Sequence, residues 1–244
     1  MAIWGKIVGG AAGLLLGGPL GALLGGVAGH VVDKYRDSDL EEGETPTGLK
    51  QVAFTIAVVA LGAKLAKADG VVTRDEVDTF KRVFHIPPEE VKNFGRVFDQ
   101  ARQNAAGYEA YARQISKMFQ NSPQVLEDLL HGLFAIAMAD GVLHPDEDDY
   151  LRNIAEIFGF NDYDYDRFRS YHSGAEAVDP YRILGVSPDI SDGDLKKAYR
   201  TLIRENHPDK VMAEGLPQEF IDLANEKLAK INAAYDEVAK TRGI

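Results

Sequence analysis

Four carboxylates near the middle of the chain stand in two matched settings. Asp69 and Glu76 lie within Ala68-Asp69-Gly70-Val71-Val72-Thr73-Arg74-Asp75-Glu76, and Asp140 and Glu147 within Ala139-Asp140-Gly141-Val142-Leu143-His144-Pro145-Asp146-Glu147. Hard divalent cations take several oxygen ligands, and the equal spacing would suit a pseudo-symmetric site. The segments lack the alternating Asp or Asn of an EF-hand loop, however. A structural account covers the same residues: Gly70 and Gly141 end helices in the left-handed conformation. Thr73 with Glu76 forms a capping box, and Pro145 suits the first turn of a helix. The structural account is the stronger, so no metal is expected.

A second set is basic. Lys196, Arg200 and Arg204 recur every four residues with Lys197 beside them, while Leu195, Ala198, Tyr199, Leu202 and Ile203 form an apolar stripe. On a helix one face then packs and another is cationic. His207-Pro208-Asp209 follows directly. Taken alone, that tripeptide reads as a helix-terminating proline beside a surface acid.

Other chemistries are excluded. The chain has no cysteine, which removes disulfides, Cys-ligated zinc and thiol catalysis. It has no phosphate-cradling Gly-Lys-Ser/Thr loop and no credible nucleophile–base set, so it reads as a non-enzyme without a cofactor. His85, His131 and His172 lack partners at a recognisable spacing and read as surface or helix-end residues. A net charge of -11 argues against nucleic-acid binding, and 45% hydrophobic residues argue for a folded chain.

The elements that must position these residues are helices throughout; no alternating strand pattern occurs, and the fold class is all-α. Residues 52–61 are nearly all apolar yet too few to span a bilayer comfortably, which marks a buried helix. Val77, Phe80, Val83 and Phe84 follow helical spacing, as do Val91, Phe94, Phe98 and Ala101, then Tyr108, Tyr111, Ile115 and Phe119. A second buried helix is expected over residues 125–139, and Leu151, Ile154, Ile157 and Phe158 make another stripe. Farther on, Gly185 can stop a short helix opened by Asp179-Pro180, and Ser191 or Asp192 can cap a helix through about Glu205. Phe220, Ala224, Leu228, Ile231, Tyr235 and Val238 are spaced to pack a last long helix back on the Leu195 stripe, giving an antiparallel hairpin with His207-Pro208-Asp209 at its tip.

The first 36 residues differ in kind. Residues 7–32 hold no Asp, Glu, Lys or Arg, and Gly9, Gly13, Gly17, Gly21, Gly25 and Gly29 follow one another at intervals of four. On one helix they would form a smooth groove in which backbones approach closely, the small-xxx-small pattern of membrane helices. The run is long enough for a span of roughly 20 residues, though Gly17-Gly18-Pro19 interrupts it, so one kinked span and a hairpin both remain open. A cleaved signal peptide and a soluble glycine-packed oligomerisation segment are the competing readings.

Several stretches resemble known families. Asp179-Pro180-Tyr181-Arg182-Ile183-Leu184-Gly185-Val186, then residues 194–210 (DLKKAYRTLIRENHPDK) and 231–238 (INAAYDEV), match the J domain in type, spacing and order. The two Ala-Asp-Gly turns among amphipathic helices resemble TerB-like domains. With the apolar N-terminal segment, this order resembles the DjlA family of membrane-anchored co-chaperones. The resemblance implies residues 1–36 as a membrane and oligomerisation segment, 37–48 as an acidic linker, 49–172 as a TerB-like domain, 173–178 as a hinge and 179–244 as a J domain.

The resemblance also implies a function: docking on a DnaK-type chaperone and stimulation of its ATP hydrolysis. Lys196, Lys197, Arg200 and Arg204 would meet an acidic surface of that partner. Pro208 would fix the loop backbone, Asp209 would offer a carboxylate to a cation, and His207 a polar ring contact or a loop-shaping hydrogen bond. Membrane association is then the expected role of residues 1–36, because export would part the J domain from its partner. The expected place is the inner membrane, with the TerB-like and J domains in the cytoplasm, a possible homodimer or oligomer through the glycine ladder, and an unknown protein partner for the TerB-like domain. Against the family pattern, the connection at residues 211–217 is long, and the final short helix is missing or reduced to Thr241-Arg242-Gly243-Ile244. A metal-responsive stress protein and a glycine-ladder membrane scaffold are the alternatives.

Overall fold

A computed structural model describes residues 18–28, 47–66, 91–103, 107–172, 179–213 and 218–244, with residues 78, 80, 86 and 216. Among them every regular element is a helix: α1 (Gly18–Ala28), α2 (Thr47–Leu65), α3 (Val91–Gln103), α4 (Tyr108–Met118), α5 (Pro123–Ala137), α6 (Pro145–Ile157), α7 (Asp162–Ser170), α8 (Pro180–Ile183), α9 (Asp192–Glu205), α10 (Pro208–Ala213) and α11 (Gln218–Arg242). The fold is all-α, as the periodicity predicts.

Two helices buried nearly all round form the centre of the helical domain. Residues 53–66 of α2 and its end are buried without interruption, and α5 is buried along most of its length. A helix apolar on every side has no face to give to water, so neighbours must enclose it. Helices α3 and α4 do so with Phe94, Val97, Phe98, Ala101, Ala112 and Ile115. Val91, expected in that stripe, is instead exposed, and Val97 takes its place on the buried face. Tyr150 of α6 donates its hydroxyl to the Leu61 carbonyl at 2.9 Å, tying α6 to α2.

Local signals set the helix ends. Gly141 adopts φ +87, a left-handed position that closes the turn after α5. Asn161 caps α7, accepting from the Asp164 N–H at 3.0 Å while Asp164 accepts from the Asn161 N–H at 3.3 Å. Gly185, at φ +63, stops α8. Ser191 caps α9 by accepting from the Asp194 N–H at 3.1 Å.

Helix α1 begins at Gly18, beside the Gly17-Gly18-Pro19 interruption, and carries Gly21 and Gly25 of the ladder. It packs against α3 and α4, burying Leu20 and Leu23, and the Leu20 N–H donates to Gln114 Oε1 at 3.1 Å. Gly9, Gly13, Gly17 and Gly29 lie outside the described residues, as do the hinge 173–178, Val77, Val83, Phe84 and His85. No described helix is long and apolar enough to cross a membrane. Buried apolar side chains form one continuous cluster from α1 to α11, so the core runs across both the helical region and the C-terminal hairpin.

Candidate functional site

The tip of the C-terminal hairpin is built by helices α9 and α11. Leu195 and Leu202 on α9 are buried, as are Ile231, Ala234 and Val238 on α11. The rings of Tyr199 and Tyr235 stack with centroids 3.9 Å apart, and the Tyr199 hydroxyl donates to Asn232 Oδ1 at 3.0 Å. Arg242 clamps the far end. Its guanidinium donates to Asp192 Oδ1 at 2.9 Å, to the Ile190 and Pro188 carbonyls, and to the Tyr181 hydroxyl at 2.9 Å. Thr241 and Arg242 thus belong to α11, and the segment expected as a vestige of a further helix is a working anchor.

At the tip, Asn206 ends α9 and folds its amide back on the Leu202 carbonyl at 2.8 Å. Pro208 opens α10, where a missing N–H leaves no helical hydrogen bond unmade. His207 and Asp209 are 49% and 75% exposed at their side chains. The Asp209 N–H donates to His207 Nδ1 at 3.2 Å, which leaves the proton of the neutral ring on Nε2. The loop-shaping role expected of His207 has this hydrogen bond as its physical form. Lys196, Lys197, Arg200 and Arg204 are all exposed, and none pairs with an acid among the described residues. From Lys196 to Arg204 the row runs about 12 Å along α9.

A second charged cluster lies between the hairpin and the helical domain. Lys227 of α11 places Nζ 2.9 Å from Glu127 Oε1 and 3.1 Å from Asp128 Oδ1, both on α5. Side-chain exposures are 4% for Lys227, 9% for Glu127 and 4% for Asp128. Arg167 stands 3.8 Å from Glu127 Oε2. His131 approaches Glu127 at 3.6 Å, and its Nδ1 shares a hydrogen bond with His172 Nε2 at 2.9 Å.

Burial alone would raise the Glu127 pKa, but Lys227, the His131 contact and Arg167 overcome it and hold the carboxyl well below the usual range. Burial would likewise lower Lys227, yet Asp128 and Glu127 keep it above the ordinary lysine value. Burial pushes Asp128 up, against the pull of Lys227. His131 is pushed down to about 4, chiefly by burial. His172 is held well below its ordinary value by burial and then by His131.

Three family models match the chain in order. Residues 1–51 match the Co-chaperone DjlA transmembrane domain, 55–170 match Tellurite resistance protein TerB, and 179–241 match the DnaJ domain. Co-chaperone protein DjlA of Aliivibrio fischeri is 32% identical over 282 residues, covering 100% of both chains. The chain belongs to the DjlA co-chaperone family. Relatives of the same name from Shewanella oneidensis and Coxiella burnetii are 32% and 28% identical, covering 100% and 98% of each chain. No solved structure matches. Membrane association follows for the DjlA family at the level of its transmembrane domain, and a DnaK-type chaperone is the partner its J domain implies.

His207, Pro208 and Asp209 form the tip of the J domain, and the four basic residues run back from it along the exposed side of α9. Of the acidic repeat, the second copy is described. Asp140 Oδ1 accepts from the Val142 N–H at 2.9 Å, and Glu147 Oε2 from the His144 N–H at 3.1 Å, so both serve turn and helix start. Asp69, Gly70, Thr73 and Glu76 lie outside the described residues. One histidine expectation is corrected: His131 is buried, because Phe168 and Tyr171 enclose it, whereas His172, partly buried and stacked on Phe134, lies just past the end of α7, a helix-end position as expected.

Sequence reasoning also missed Lys227. The buried seam of α11 runs through Phe220, Ala224, Lys227, Ile231, Ala234 and Val238, whereas Leu228, expected there, is only partly buried. Its signal was a lysine at a core step of an otherwise apolar spacing, facing two acids within the apolar run of α5. Phe220 likewise meets Phe54 of the helical domain, with ring centroids 4.6 Å apart.

Proposed function

We propose that this chain docks on a DnaK-type chaperone through His207, Pro208, Asp209 and the row Lys196, Lys197, Arg200 and Arg204, and stimulates the chaperone's ATP hydrolysis. The observation that carries the reading is the exposed tip, where the Asp209 N–H to His207 Nδ1 contact preshapes the tripeptide at the end of a helix carrying four exposed cations that no described acid neutralises. A cationic row of this kind speeds encounter with an acidic surface and fixes its register. The Asp209 carboxylate, 3.4 Å from His207 Nδ1 and 75% exposed, can receive a guanidinium or ammonium group of the partner. The chain performs no bond chemistry of its own in this reading; it alters the rate of the partner's.

Residues 1–36 hold the molecule at the inner face of the bacterial membrane, with the remaining domains in the cytoplasm beside the chaperone and its ATP. The glycine ladder brings copies together there, and the TerB-like domain recruits a further protein. Single-turnover ATP hydrolysis by a DnaK-type chaperone tests the central claim. The chain accelerates hydrolysis and its His207→Gln variant does not; equal rates with both would end the reading.

A further inference from the structure

A protein docked on the basic row needs more surface than the row offers. Stable interfaces take about 800 Å² from each partner. Helix α9, some 21 Å long and about 10 Å wide, presents only about 200 Å² on one face, and the exposed His207 and Asp209 of the tip add only part of what is missing. A partner seated there must extend onto neighbouring surfaces, and one of them is already continuous with the row. Lys197 lines a groove of about 460 Å³ whose opposite wall is Tyr163, Asp164 and Arg167 of α7, in the helical domain. Tyr163 is 57% exposed, a large aromatic left in water at the groove's edge. Tyrosine and arginine are the residue types that most often anchor protein interfaces.

The groove exists only while the two domains keep their relative position. That position is fixed at the buried cluster, where Lys227 enters between Glu127 and Asp128. With Lys227 between two buried acids, a shift of one domain against the other would leave a buried charge unpaired, which ties the pair to one orientation here. Supporting bonds cross the same junction: the Tyr171 hydroxyl donates to the Ile183 carbonyl at 3.0 Å, and Lys230 Nζ donates to the Tyr171 carbonyl.

We propose that the chaperone-facing surface is composite: the basic row of the J domain continues across the groove onto Tyr163 of the TerB-like domain, and Lys227 is the positioning residue that holds the halves in register. The proposal rests on the chaperone reading above and adds the second half of its surface.

The test uses the full chain in mild detergent and single-turnover ATP hydrolysis by a DnaK-type chaperone, titrated with co-chaperone. Tyr163→Ala raises the concentration for half-maximal acceleration about five- to tenfold, the scale of an interface aromatic. The ceiling stays unchanged, because the tripeptide is intact. Lys227→Gln shifts the same concentration by a similar factor. The double variant is no worse than Lys227→Gln alone, since loss of register has already removed Tyr163 from the surface.

Because the chain has no cysteine, Glu156→Cys and Lys240→Cys add the only two thiols, both at exposed positions, for spin labels on the two domains. Their distance distribution is narrow with Lys227 and broad with Gln at that position. Helical circular dichroism identifies a variant that has unfolded; Tyr163→Ala, at an exposed site, then carries the test. An unchanged half-maximal concentration for Tyr163→Ala overturns the proposal, as does an unbroadened distribution for Lys227→Gln or a double variant showing the product of both effects. A chain that never accelerates the chaperone, with His207→Gln indistinguishable from it, overturns the chaperone reading itself. Failure of the composite surface alone leaves that contrast intact.

Discussion

Lys197 and Lys227 stand on neighbouring helices of one small domain and live in opposite electrostatic worlds. Lys197 lies in water, beside the other cations of its row and without a described acid. Lys227 is sealed between two carboxylates of another domain, with Arg167 and His131 completing the cluster. In water at ordinary salt the field of Lys197 dies within about 8 Å, so its charge serves encounter rather than stability. Inside the junction the same charge cannot be left unpaired, so it dictates how two domains sit. The tip is therefore where substitutions change activity, and the junction is where they change the fold.

The contrast breaks first at the junction. Lys227→Ala leaves two acids buried without their main cation, and the expected loss of stability is about 3–5 kcal/mol, read by urea unfolding. A loss below about 1 kcal/mol, the exposed-pair range, would erase the distinction between the two lysines.

Acid comes next. His131 titrates near 4 in the folded chain and at its ordinary value of 6.5 when unfolded. Between those values the unfolded state binds the extra proton, so stability falls as pH drops from about 6.5 toward 4, by about 3 kcal/mol in all. Glu127 acts in the same direction at lower pH, because its carboxyl is held ionised only in the folded state. His172, also held low by burial and by His131, acts in the same direction, so thermal unfolding across this window shows a slope that His131→Gln reduces without abolishing.

The basic row sharpens the other side. Replacing Lys196, Arg200 and Arg204 with Gln slows association with the chaperone about tenfold at low salt, and the gap narrows as salt rises. Stopped-flow association at two ionic strengths checks both. The smallest expected effect is on stability at the tip: His207→Gln changes the free energy of unfolding by no more than about 0.5 kcal/mol while acceleration of hydrolysis disappears. A larger shift would place His207 in the fold rather than in the docking site.

How much of this was legible depends on how far each interaction reaches along the chain. Helix α9, its Ser191 cap and the Gly185 stop follow from residues at most four apart, and the structure has them where the spacing puts them. The same holds for Gly141 after α5. Val91 shows the limit of periodicity, because four matching positions did not reveal that its end of α3 faces water. His131 read as an ordinary histidine because its partner, His172, is 41 residues away. Arg242 read as part of a fading terminus because its acceptors lie 50 to 61 residues upstream.

What the sequence by itself determined is the all-helical class, the long helices with several of their caps, and the tripeptide at the end of a cationic helix. Each rests on contacts within one or two turns, where backbone geometry alone decides which side chains meet. The sequence did not give α7, or α10 where a loop was expected. What only the tertiary structure decided is which charges lose their water. Lys227 and Asp128 are 99 residues apart, and nothing local distinguishes that lysine from the solvated ones of α9. Whether a charge is buried depends on what packs over it, and here that cover belongs to another domain.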